Sequence, residues 1–494
     1  MADNRTGEAV RFVRFFYRKL RFCTKNRLAA GKILYYTILY FRYFPRNEVR
    51  LVQTVKKTTP CGVVRGLAGE RCLEFRSIRY ARAERFRYPA LVTSWDGVYD
   101  ATAFGPCCFQ HRAFEDDAQV NAFYHREFRQ GLTFTYGEDC LSLNIWAPKA
   151  AQNCPVLVYI HGGSFTGGSA NEGHISGARF AENGVVFVAM NYRLGPYGFC
   201  AHPDLAEDGV CGNYGLFDQL AALRWVRANI AAFGGDPARV TVMGQSAGAM
   251  SVDILVSSPL AKGLLSGAVL LSGAGLQRFL LRPKTPEQAR GFWEKVCENA
   301  GCKTAADLRA LDAKTLYYAW RAACKAMKLS MPYTFPVYDG ALLTAESFAK
   351  SRVPDVPYLL GVTSEDMLPI VLEGLTKKWA RLAKRHNEKP CYVYNFARRL
   401  PGDDRGAWHS ADLLYAFSTL EHSWRPFAAV DREISDRLSA ALCAFAACGD
   451  PNCSAVPRWA PGAERPMRFC EQTRPAPWTT AHNFKQTFAG LGWE

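Results

Sequence analysis

The hydrophobic positions fall into two patterns that alternate through most of the chain. Residues 156–160 (VLVYI), 185–190 (VVFVAM) and 240–243 (VTVM) are short apolar runs rich in β-branched side chains. Unbroken runs of this kind predict strands buried on both faces, as in a parallel sheet. Between and after them lie longer stretches, 215–233 and 286–300, whose apolar residues recur at helical spacing. The second starts with Thr285, Pro286 and Glu287, a cap, a first-turn proline and a first-turn acid. Strand–helix alternation predicts an α/β protein with a doubly wound, mostly parallel central sheet and helices on both faces.

The first 50 residues differ from the rest. Arg11, Arg14, Arg18, Arg21 and Lys25 are three and four apart and share one helical face, with Phe12, Val13, Phe16, Leu20 and Cys23 on the other. Such an amphipathic helix suits either an anionic membrane surface or packing on the protein body, and both readings stay open. The apolar run 33–41 is too short to span a bilayer. Arg42, Tyr43, Phe44 and Pro45 follow it where a cleavable signal would need small residues. The chain is therefore divided into a basic extension, 1–50, and an enzyme-like body, 51–494.

Charge sharpens that division. The net charge is +16 over 494 residues, and residues 1–50 supply +9 of it from twelve basic and three acidic side chains. The body is only modestly basic, and it carries no zinc-finger spacing, RNP-type motif or P-loop, which argues against a nucleic-acid partner. The 17 cysteines are odd in number, contain no CxxC pair and fall partly in buried-strand patterns. Mostly reduced, core-filling thiols and a cytoplasmic setting, peripheral to the membrane if the extension binds there, are the expectation.

The candidate chemistry begins at Gly244-Gln245-Ser246-Ala247-Gly248, between the strand at 240–243 and a helical stretch at 247–255. That context gives G-x-S-x-G its meaning: the chain turns sharply and leaves Ser246 exposed at a helix N-terminus. The backbone N–H of Ala247 then faces the oxygen of a bound ester. His161-Gly162-Gly163-Ser164-Phe165 follows the strand at 156–160. Glycines at a strand end let N–H groups approach a substrate, as an oxyanion hole requires.

These stretches resemble the type-B carboxylesterases, the group that includes cholinesterases and bacterial p-nitrobenzyl esterases. The likeness lies in residues 233–248 (FGGDPARVTVMGQSAG), 138–146 (EDCLSLNIW), 191–195 (NYRLG), 212–219 (GNYGLFDQ) and 97–107 (GVYDATAFGPC). It covers residues 51–494 and implies an α/β-hydrolase fold with a Ser-acid-His triad. It implies Ser246 as nucleophile, His409 as base, and Asp366 as acid, with Glu365 as the alternative. It implies the N–H groups of Gly163, Ser164 and Ala247 as the oxyanion hole. Ser164 stands where the family often has glycine, so its backbone must tolerate a Cβ. Cys107 or Cys108 sits at a family loop-disulfide position with no clear mate.

The implied activity is hydrolysis of carboxylic esters through an acyl-enzyme, with no metal or organic cofactor. Residues 109–137 contain no tryptophan, and Gln245 stands where a glutamate often precedes the serine. Both departures argue against a choline ester and for an uncharged small or medium ester. Phe165, Tyr333 and Phe335 are candidate pocket walls. A non-catalytic binding scaffold, and a thioesterase or lactonase using the same triad, are the competing readings. The oligomeric state is left open.

Overall fold

The computed structural model describes residues 53–329, 335–349 and 353–478. The expected N-terminal helix lies outside the described residues, as does Tyr333. Thirteen of the described strands build one sheet. In chain order its strands are β1 (Thr54–Thr59), β2 (Gly62–Ala68), β3 (Leu73–Arg79), β4 (Val98–Asp100), β5 (Ser142–Ala147), β6 (Cys154–Ile160), β7 (Val186–Met190), β8 (Gly235–Gln245), β9 (Gly267–Leu271), β10 (Tyr358–Thr363), β11 (Cys391–Phe396), β12 (Gly462–Phe469) and β13 (Arg474–Pro475). The spatial order is β1-β2-β3-β5-β7-β6-β8-β9-β10-β11-β12-β13, with β4 beside β2.

From β7 to β12 every pairing is parallel. The strands before β6 pair mainly antiparallel, and β13 turns back on β12. The doubly wound, mostly parallel sheet expected from strand–helix alternation is observed, with an antiparallel flank, and it is the α/β-hydrolase sheet that the resemblance implied.

The period-two geometry of strands explains the layers. Val156, Val158 and Ile160 of β6 enter one buried cluster, and Leu157 and Tyr159 enter another on the opposite face. Helices α1 (Tyr214–Asn229), α2 (Ala247–Ser257) and α5 (Pro369–His386) contribute Trp225, Leu255 and Trp379 to the first. Helix α6 (Ala429–Cys448) contributes Ile434, Leu438 and Leu442 to the second. Two further helices, α3 (Pro286–Ala300) and α4 (Ala313–Ala326), bury Trp293 and Trp320 in a third cluster. The start of α3 is as expected: Thr285 Oγ1 accepts from the Gln288 N–H, and Gln288 Oε1 accepts from the Thr285 N–H.

One cysteine expectation needs correction. Cys108 does have a mate: it is disulfide-bonded to Cys140, with Cα atoms 5.1 Å apart. Its neighbour Cys107 is buried and bonds Ser169 Oγ at 3.0 Å instead. Both lie in an extended segment, where successive side chains leave opposite sides of the backbone, so only one could meet Cys140.

Candidate active site

Four strands that end at the same edge of the sheet assemble the site. Strand β8 runs straight into α2, and Ser246 is the joint between them, at φ 55° and ψ −122°. This conformation is strained for a residue with a Cβ and is held by its surroundings. The Ser246 N–H donates to the Leu271 carbonyl at the end of β9, and its carbonyl accepts from Met250 in α2. The flanking glycines are required by space: a Cβ on Gly248 would run into the Ile160 carbonyl, and one on Gly244 into that of Gly248.

The loop after β6 closes on this joint. A Cβ on Gly162 would lie 2.6 Å from Gln245 Oε1 and 3.1 Å from Ser246 Cβ, so only a bare backbone fits there. Gly163 has φ 110° and Ser164 φ 55°. Ser164 therefore takes the left-handed conformation that a third glycine would adopt freely. Ala247 opens α2, so its N–H is among those that no helical carbonyl reaches. Beside this loop, His161 is buried and stacks on Tyr192; burial pushes its pKa down to about 4. A neutral ring there packs the loop and carries no charge.

The other half of the site is a buried acid–imidazole pair. Asp366, just after β10, and His409, just before the short helix Ala411–Ala416, are 3% and 7% exposed. His409 Nδ1 donates to Asp366 Oδ1 at 2.6 Å. Asp366 Oδ2 accepts from Ser272 Oγ at 2.6 Å and Thr363 Oγ1 at 2.8 Å, and Oδ1 accepts from the Met367 N–H at 2.8 Å. Burial opposes charge on Asp366, but the imidazole beside it and these donors hold its carboxyl below the usual range. Burial likewise opposes charge on His409, and the Asp366 carboxylate more than reverses that, raising the imidazole above its ordinary value. With Nδ1–H committed to Asp366, Nε2 is the acceptor. It receives the Gln245 side-chain amide at 3.1 Å, one residue from Ser246.

Glu365, the alternative acid, faces elsewhere. Its Oε2 accepts from the Ala407 N–H at 2.6 Å, and its Oε1 pairs with Arg399. It ties down the loop that carries His409, whose carbonyl also accepts from Tyr124 Oη at 3.2 Å. Of the other described histidines after Ser246, His386 ends α5 and His422 bonds the Gly173 carbonyl.

Residues 53–382 and 375–488 match the model of the Carboxylesterase family. The chain belongs to the carboxylesterase family. Curated relatives include a fumonisin B1 esterase of Sphingopyxis macrogoltabida, 34% identical over 62% of this chain and 55% of its own length. The para-nitrobenzyl esterase of Bacillus subtilis is 35% identical over 63% of this chain and 62% of its own length. The chain thus spans little more than half the length of these first relatives. Solved structures cover more. A thermophilic PNB esterase superposes with a TM-score of 0.73 at 26% identity, over 88% of this chain and 99% of that one. The Geobacillus stearothermophilus carboxylesterase EST55 gives 0.69 at 28% identity, over 89% and 100%.

The pocket expectations fare unevenly. Phe165, expected as a pocket wall, is a core residue: it is fully buried, and its ring centroid lies 4.8 Å from that of Phe199. It belongs to the main core cluster and has φ 60°. Phe335 is half-buried against the main core. Sequence reasoning missed Ser272 and Thr363, the hydroxyl donors to Asp366. Ser272 follows β9 and Thr363 ends β10, and that position beside the site was the one available signal.

Proposed function

We propose that the protein is a serine carboxylic-ester hydrolase. The observation that carries this reading is the buried Asp366–His409 pair at the sheet edge where Ser246 is held at positive φ. In this reading the Gln245 amide releases His409 Nε2, which takes the Ser246 proton as Oγ attacks the ester carbonyl. Asp366 keeps the ring in the Nδ1–H tautomer and stabilises the imidazolium. The oxyanion is received by the N–H groups of Gly163, Ser164 and Ala247, each worth about 2.7–4 kcal/mol to the transition state. His409 protonates the leaving alkoxide. Water, deprotonated by the same nitrogen, then cleaves the acyl-enzyme. The proposed substrates are uncharged small or medium esters: Gln245 puts a neutral amide where a carboxylate would favour a cation. The esterase activities named for the relatives support ester hydrolysis.

The test is hydrolysis of p-nitrophenyl butyrate by the full chain and by Ser246→Ala, with mass spectrometry after an organophosphonate ester. The expected result is activity and one adduct at Ser246 in the parent and neither in the variant. Equal rates in the two proteins would refute the assignment.

A further inference from the structure

Two chain segments leave the site edge of the sheet side by side and end in exposed apolar side chains. The first follows β9: Ser272 bonds Asp366, and the chain continues through a turn of helix, Leu276–Leu280. The second follows β10: Asp366 is succeeded by Leu368 and then by α5. The two touch, since the Lys378 ammonium lies 4.2 Å from the centre of the Phe279 ring. At their tips Leu280, Leu368, Ile370 and Val371 are between 37% and 51% exposed.

Helix α5 continues this patch in a second chemistry. At 100° per residue, Ile370, Gly374, Lys378, Arg381 and Arg385 fall within an arc of about 80°. All five are exposed, whereas Leu372, Thr376, Trp379, Ala380 and Ala383 on the other side are buried. The exposed face is therefore apolar at the end nearest the site and basic along the rest. Among the described residues no carboxylate lies within ion-pair distance of Lys378, Arg381, Lys384 or Arg385; the one acidic residue in the helix, Glu373, pairs with Lys377. Positive charge at a helix C-terminus suits the dipole and accounts for Lys384 and Arg385. It does not account for Lys378 and Arg381 in mid-helix, nor for isoleucine and valine in water. Exposed aliphatic side chains at one end of a face and basic ones along the rest complement a surface that is apolar inside and anionic at its headgroups, as an anionic lipid layer is.

We propose that the exposed face of α5, with Leu280 and Leu368, is a docking surface for anionic lipid, set beside Asp366 so that the site opens toward the lipid. Docking would present lipid-dissolved esters to Ser246. That consequence rests on the hydrolase reading; the docking itself does not.

The test uses the full chain and vesicles of equimolar phosphatidylcholine and phosphatidylglycerol. Two variants are compared with the parent, Ile370→Ser/Val371→Ser and Lys378→Glu/Arg381→Glu. Residues 1–50 are present in all three proteins, so any contribution from them cancels. Loss of the two interfacial basic charges alone should weaken vesicle sedimentation about 30-fold, and the glutamates put in their place should weaken it further. Replacing the two aliphatic side chains should weaken it about tenfold or more. Hydrolysis of p-nitrophenyl laurate dissolved in the vesicles should fall in parallel, while soluble p-nitrophenyl butyrate is cleaved at the parent rate, which also certifies folding. Sedimentation equal to the parent in both variants overturns the proposal. A loss confined to the charge variant also overturns it, because the apolar tip would then take no part. A parent inert on butyrate would refute the hydrolase reading alone, and sedimentation would still decide docking.

Discussion

Gly406→Ala tests how the base is held in place. Gly406 has φ 70°, and a Cβ there would overlap Glu365 Oε2. Two terms add. A non-glycine residue in the left-handed region costs about 1–2 kcal/mol. The carboxylate must also retreat. A side-chain end would ordinarily do so cheaply, but this one accepts from the N–H of Ala407, which is fully buried. Leaving that N–H unsatisfied costs about 1–3 kcal/mol. The Arg399 partner is 59% exposed and adds little. The expected loss is about 2–5 kcal/mol in urea unfolding. Because Ala407 is two residues from His409, kcat/KM on a soluble ester should drop about 100-fold for a 1 Å displacement of the imidazole. Glu365→Ala removes the same hydrogen bond without the backbone term. The double variant should therefore be more stable than the sum of the two single losses implies, by about 1–3 kcal/mol. Full additivity, or a Gly406→Ala protein as stable as the parent, would refute the reasoning.

Other expectations follow from the same geometry. Asp366→Asn should preserve the fold and reduce kcat by about 10⁴-fold, since an amide can hold the wrong imidazole tautomer; kcat/KM across a pH series checks it. His409 must be neutral to act as base and its pKa is raised by Asp366, so kcat/KM should fall on acidification with a midpoint above about 6.5, measured on a neutral soluble ester. Cys108→Ser opens a loop of 32 residues and should lower stability by about 4 kcal/mol, measured against the non-reduced parent. Arg278 and Asp253 are both fully buried and bond at 2.7 Å; Arg278→Met strands the carboxylate and should destabilise by about 3–5 kcal/mol in thermal unfolding.

What could be read from the chain alone is what depends on neighbours in sequence. The runs at 156–160 and 240–243 are strands because their composition suits burial on both faces, and α3 starts at Pro286 because its cap is local. The joint at Ser246 is legible for the same reason: strand, glycine, serine, glycine and helix all lie within some 20 residues. The ends of strands gave weaker signals. Ser272 and Thr363 follow or end strands like many other hydroxyls, and nothing near them in sequence marks them as partners of Asp366, 94 and three residues away.

Only the tertiary structure decided the pairings. Asp366 and Glu365 are adjacent acids, and His409 is 43 residues beyond Asp366. Which of them meets the imidazole depends on the direction in which each side chain leaves the loop after β10, and that is set by packing. Cys107 and Cys108 pose the same problem: alternation sends them to opposite sides, and only the position of Cys140 selects between them. Phe165 shows the reverse error, a residue that belongs to the functional loop by sequence and to the core by its packing. Composition and spacing specify which elements form; side-chain direction at loops is a long-range property, fixed when the sheet brings distant loops to one edge.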